Sequence, residues 1–154
     1  MKNIKVLILM GSKSDMSIME QTSAVLDQYD VPHKVLVRSA HRTPEATVKA
    51  VHDAEAAGCG VFICAAGMAA HLAGVVASKT VLPVIGVPIS TGPLQGQDAL
   101  LSTVMMPPGI PVACVGVNAA KNAGILAVQI LAQSDASLVD KLRTTRETIA
   151  QPED

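Results

Sequence analysis

Five short apolar runs constrain what this chain can fold into more than any other feature. They are IKVLILM (4–10), HKVLVR (33–38), GVFICA (60–65), VIGVPI (84–89) and IPVACVGV (110–117). A run apolar at consecutive positions has no polar face to offer water, so as a strand it is buried on both sides. The stretches between and after the runs carry helical spacing. Met19, Thr22, Val25, Leu26 and Tyr29 share one face of a predicted helix over 15–29. Further helices are predicted over 44–57, with Pro44 in the favoured first turn, and over 69–80, 96–105, 118–133 and 136–150. Strands joined by helical crossovers pair in parallel, and the helices then cover both faces of the sheet.

The expected fold class is therefore α/β: a doubly wound, three-layer sandwich around a five-stranded parallel sheet of flavodoxin-like order 2-1-3-4-5. The 154 residues fit one domain, 1–154, with the last helix, 136–150, packing on the core or on a neighbour. Two helices look apolar on nearly every side. In 123–131, Ile125 and Val128 flank the face made by Ala123, Leu126, Ala127, Ile130 and Leu131. The segment 69–77 is small and apolar apart from His71. Such helices are buried all round, and with 49% hydrophobic residues and a mean hydropathy of +0.39 a homo-oligomer is expected.

Composition excludes several classes. The formal net charge is −1, Tyr29 and Phe62 are the whole aromatic complement, and no basic stripe is present. Nucleic acid is thus not an expected partner. No apolar stretch approaches the roughly 20 residues of a membrane helix, and MKNIKVLILMGSKSD lacks a cleavage pattern. Cys59, Cys64 and Cys114 are odd in number and without CxxC spacing, which reads as reduced, buried thiols in a cytoplasmic protein. No His, Cys, Asp or Glu grouping has the spacing of a metal site.

Polar and potentially catalytic residues gather after the strands, in GSKSD, SAHRTP, AAGMAAH, PISTGPLQGQD and NAAKNAG, while the opposite edge receives connectors such as QYDVP and EAAGCG. Ligands of doubly wound sheets bind beyond the carboxyl ends of the strands. In GSKSD, Gly11 permits a tight turn, Ser12 and Ser14 offer hydroxyls, and Asp15 could accept from a sugar; the same residues also suit an ordinary helix cap. It is neither a Walker A loop nor a GxGxxG fingerprint. In SAHRTP, the fork of Arg42 suits phosphate or carboxylate, Ser39 adds a donor, and His41 can move a proton near neutral pH. Gly67 lets a ligand approach the backbone, and His71 stands alone on an apolar helix, where a core role competes with a catalytic one.

Taken together, MGSKSD, SAHRTP, AAHLAG, PVIGVP, LLSTVMMPPGIPVA and NAGILAVQIL resemble the 5-(carboxyamino)imidazole ribonucleotide mutases of bacterial purine biosynthesis, class I of the aminoimidazole ribonucleotide carboxylase family. The resemblance covers nearly the whole chain. It implies a ribonucleotide substrate whose carboxylate moves from an exocyclic nitrogen to the adjacent ring carbon through released carbon dioxide. It implies no metal, ATP or organic cofactor, and an octamer with sites where subunits meet. His41 would be the general acid and base. Ser14, Ser39 and Arg42 would hold the phosphate, Ser12 and Asp15 would orient the sugar, and Gly67 would meet the carboxylate with His71 nearby. Met68, Ala73 and Met105 depart from the family's usual Gly, Pro and Gln, and Met68 would narrow or reshape the carboxylate pocket. The related carboxylase that takes free carbon dioxide usually carries Lys at the place of Arg42. A receiver-type module would need a phosphorylatable Asp at a strand end, where this chain has Ser, His, Arg and Gly.

Overall fold

The computed structural model describes residues 3–150. Five parallel strands form one sheet in the order β2-β1-β3-β4-β5. They are β1 (Val6–Met10), β2 (His33–Val37), β3 (Val61–Gly67), β4 (Val84–Ile89) and β5 (Ala113–Cys114). The helices are α1 (Met16–Gln28), α2 (Pro44–Ala56), α3 (Leu72–Ala77), α4 (Gln97–Val104), α5 (Ala120–Leu131) and α6 (Ala136–Ile149). A 3-10 turn, Lys13–Asp15, leads into α1.

The consecutive apolar positions of β1 divide between two cores, as a doubly covered strand requires. Val6, Ile8 and Met10 face α1 and α5 together with Val61, Ile63 and Ala65. Leu7 and Leu9 face α2 and α3 together with Phe62 and Cys64. All five β1 residues are fully buried. α6 lies on its own chain's core: Leu138 is buried in it, the Tyr29 hydroxyl donates to Thr145 Oγ1 at 2.9 Å, and Lys141 reaches Asp30 Oδ2 at 2.7 Å.

Element boundaries shift by up to a few residues from the sequence expectation, and three of the shifts have a visible cause. β3 runs on to Gly67, and α3 begins only at Leu72, because the chain turns sharply between them: Met68 has φ +53°, and the amides of Ala70 and His71 bond the carbonyls of Met68 and Ala69. β5 keeps two residues of the expected eight, with one further ladder bond from the Val115 amide to Gly86 O. It is the sheet's edge, paired on one side, and Pro111 has no amide to donate. Cys114, expected to be buried, is half-exposed on this edge, whereas Cys59 and Cys64 are buried; burial pushes all three thiols above the ordinary range.

The apolar helices find most of their cover within the chain. Leu72, Ala73, Val76 and Ala77 of α3 are buried; in α5, Ala123, Ala127 and Val128 are buried, and Ile125, Leu126, Ile130 and Leu131 are partly buried against the same core. Uncovered apolar side chains cluster elsewhere, at Leu101, Val104 and Met105 of the α4 segment, which are 59%, 45% and 76% exposed.

Candidate active site

The parallel register brings the ends of β1, β2 and β3 level, since Met10 pairs with both Val37 and Ala65. The turns that follow these strands therefore meet. His41, after β2, and His71, before α3, are 30 residues apart in sequence, yet His41 Nε2 stands 2.8 Å from His71 Nδ1. The rings meet edge to face, 5.0 Å between centroids and 86° between planes. One nitrogen must donate and the other accept, so the contact holds one proton between two rings. His71 is thus an exposed partner of His41, and the core reading of this residue fails.

The SAHRTP turn is held by its own hydroxyls. The Ser39 amide donates to Thr43 Oγ1 at 3.0 Å, Thr43 Oγ1 donates back to Ser39 O at 3.1 Å, and the Arg42 amide donates to Ser39 Oγ at 3.2 Å. Thr47 Oγ1 anchors the turn to α2 through Thr43 O at 3.0 Å. Arg42 Nη2 crosses to the β1 side and donates to Gly11 O at 2.8 Å. That spends one of five donors and leaves the rest of the fork free for an anion.

GSKSD forms a cap and a polar wall at once. The Ser14 amide donates to Ser12 Oγ at 3.3 Å, and the Ser12 amide donates to Asp15 Oδ2 at 3.2 Å, a reciprocal capping box. Ser14 Oγ lies 2.8 Å from Ser12 Oγ and 3.1 Å from Asp15 Oδ1. Asp15 is only 4% exposed. Burial pushes its carboxyl above the ordinary 3.8, with the Ser14 and Ser12 hydrogen bonds opposing the rise.

These turns enclose a hollow of about 100 Å³. Asp15, Ser39, His41 and His71 supply its polar lining, and Ala40, Ala66, Ala69 and Leu72 its apolar wall. Ser12, Ser14 and Arg42 adjoin it through Gly11 and Asp15 rather than lining it. Gly67 lines the hollow too, but packing also demands a glycine there: a Cβ would collide with Thr91 Oγ1 and stand 3.1 Å from Ile89 O. Sequence reasoning did not single out Thr43, Thr47 or Thr91. The Thr-Pro step before α2 was the available signal for Thr43; nothing local marks Thr91, which reaches Gly67 from the end of β4. A larger groove, about 910 Å³, opens on the opposite edge around Val81, Leu82, Ile110 and Pro111. Its ionisable groups are Glu55 and Lys79, and Glu55 is engaged by Thr80, so the proton-transfer chemistry belongs to the smaller hollow. Among the described residues no cluster of three or more His, Cys, Asp or Glu could hold a metal ion, and no helix is long and apolar enough to cross a membrane.

The AIR carboxylase family model matches residues 5–152, nearly the whole chain. The chain belongs to the AIR carboxylase family. Within that family it is 50% identical over 143 residues to the N5-carboxyaminoimidazole ribonucleotide mutase of Pyrococcus abyssi, an alignment covering 93% of this chain and 82% of that relative. It is 45% identical over 148 residues to the enzyme of the same name from Haemophilus influenzae, covering 95% and 90%. Among solved structures, PurE of Treponema denticola superposes with a TM-score of 0.88 at 31% identity, covering 97% of this chain and 93% of that one. The AIR carboxylase sheet order and helical cover are those expected from the sequence.

Proposed function

We propose that the protein is a mutase of purine biosynthesis. It moves the carboxylate of 5-carboxyamino-1-(5-phospho-D-ribosyl)imidazole from the exocyclic nitrogen to the adjacent ring carbon, giving 5-amino-1-(5-phospho-D-ribosyl)imidazole-4-carboxylate. The observation that carries this reading is the His41–His71 pair opening on a small hollow of mixed polar and apolar lining, in a chain so similar to relatives named for that reaction.

The placement of the polar groups divides the substrate: the two imidazoles that can move protons line the hollow, whereas the Arg42 fork and the Ser12 and Ser14 hydroxyls adjoin it. The imidazole end enters the hollow, and the sugar and phosphate run from its rim at Ser39 along Ser12, Ser14 and Arg42. Asp15 orients the ribose, and Gly67 meets the carboxylate. The carbamate N–C bond breaks, its electron pair returns to nitrogen, and the nitrogen takes a proton from His41. The ring carbon then attacks the retained carbon dioxide, and His41 removes the ring C–H proton, restoring its starting state. Protons and electrons balance within the site, and no cofactor enters the sequence. Holding carbon dioxide beside its acceptor supplies the proximity that free solution lacks.

Turnover of the carbamate substrate without added bicarbonate is the expected result of an assay on the purified protein. Turnover of aminoimidazole ribonucleotide at low bicarbonate, with none of the carbamate, overturns the mutase in favour of the carboxylase reading.

The working form in this reading is a cytoplasmic homo-oligomer, an octamer by family resemblance, with the exposed Leu101, Val104 and Met105 face as its natural contact. Light scattering is expected to give eight times the 15.9 kDa chain mass. A stable monomer at micromolar concentration overturns the assembly.

A further inference from the structure

We infer that Thr43 is a positioning residue: its hydroxyl clamps the turn that carries His41, and so holds that ring against His71 at the hollow. The proton transfer this serves rests on the mutase reading. Thr43 is the N-cap residue of α2. A threonine there ordinarily turns its hydroxyl forward, to accept from an amide of the helix's first turn. Thr43 makes no such bond. Its hydroxyl turns back across the loop instead, accepting from the Ser39 amide at 3.0 Å and donating to Ser39 O at 3.1 Å. A hydroxyl carries one proton and two lone pairs, so it does both at once. The Thr43 amide reaches Ser39 O as well, at 2.9 Å. Both backbone groups of Ser39 are thus tied to one residue, and Ala40, His41 and Arg42 form the closed loop between. The two hydroxyl bonds are exposed to solvent and serve no core. A hydroxyl that forgoes its helix for a surface loop points to what that loop carries.

The loop carries His41, and the residues beside it have anchors of their own. Ser39 follows directly on β2, where the Arg38 amide donates to Met10 O at 2.8 Å. Arg42 is held by Gly11 O and by Ser39 Oγ. The His41 ring has one side-chain hydrogen bond, to His71 on a separate turn, and that bond lasts only while the tip of the loop keeps its place. Hydrogen bonds weaken steeply once misaligned, and a proton carrier must stand within about 3 Å of its target. A slackened loop therefore reaches the proton-transfer step before it reaches phosphate binding.

The test compares the unaltered protein with Thr43→Val, which keeps the shape and removes the hydroxyl, and Thr43→Ser, which keeps the hydroxyl. Carbamate turnover, KM and melting temperature are measured for each, with the ring 15N signals of histidine-labelled protein. The four histidines are His33, His41, His52 and His71, so the first and third serve as internal controls. Thr43→Val is expected to lower kcat about tenfold, a mild case of what a misplaced catalytic group costs, with KM near the parent. The His41 and His71 signals should shift while the controls stay. Melting should stay near the parent, because water replaces the exposed bonds. Thr43→Ser is expected to resemble the parent throughout. Parental kcat or parental ring signals in Thr43→Val overturn the clamp. So does a loss of kcat that tracks a loss of melting temperature, or one that Thr43→Ser does not restore. A parent that converts no carbamate overturns the mutase reading instead, and the ring signals alone then decide whether Thr43 holds the pair.

Discussion

Replacing His41 with Asn is expected to lower turnover by about 10²- to 10⁴-fold, the usual contribution of a positioned acid and base, with substrate binding retained. The ring is exposed and its side-chain partner is His71, so the substitution removes a proton carrier without opening the core. Exposed positions of this kind change stability by about 0.5 kcal/mol or less, which separates a catalytic loss from a folding defect. The phosphate grip, assigned to Ser14, Ser39 and Arg42, is untouched. The fall should therefore appear in kcat with KM near its original value. Steady-state kinetics and direct binding of product to the variant check both halves. Normal turnover in His41→Asn would remove this residue from the mechanism.

Asp15→Asn is expected to move stability and activity in opposite directions. The Asp15 carboxyl is buried, and burial raises its pKa above 3.8. The unfolded chain then loses this proton at lower pH than the folded protein does. Stability falls as pH rises from the unfolded value through the folded one, and the deficit persists at neutral pH. Below the unfolded value the deficit is absent. Asn carries no charge to desolvate, so the variant should melt higher at neutral pH and lose this part of the pH dependence. Its amide oxygen can still accept from the Ser12 amide, which preserves half of the capping box. Activity should fall, because a ribose hydroxyl bonded to a carboxylate gains about 1.5–3 kcal/mol, or about 10- to 100-fold in kcat/KM. Melting curves across pH, paired with kinetics, test the two arms. A variant less stable at neutral pH would show that the carboxylate serves the fold more than its burial costs.

The site was legible in kind but not in contact. SAHRTP and GSKSD announced themselves because hydroxyls, an imidazole and a guanidinium followed apolar runs at one edge of the sheet. His71 was ambiguous because a single imidazole in an apolar helix has no local partner; its partner lies across two strands. The sequence marks Gly67 as room for a ligand, and Thr91 gives a second, packing reason for a glycine there. The oligomer expectation drew on α3 and α5, yet the large exposed apolar side chains lie outside both, three of them at Leu101, Val104 and Met105 of the α4 segment, since the burial of a helix depends on what packs against it.

The amino-acid pattern alone determined the five strands in parallel, the helices between them and the edge at which polar residues collect, because hydrophobic period and crossover length are properties of local sequence. Tertiary structure decided what depends on register and backbone angle. It shortened β5 at a half-paired edge, turned the chain at Met68 so that α3 begins late, joined His41 to His71, and tied Arg42 to Gly11. Distances between residues remote in sequence follow from how strands align and turns close, and the order of residues does not carry them.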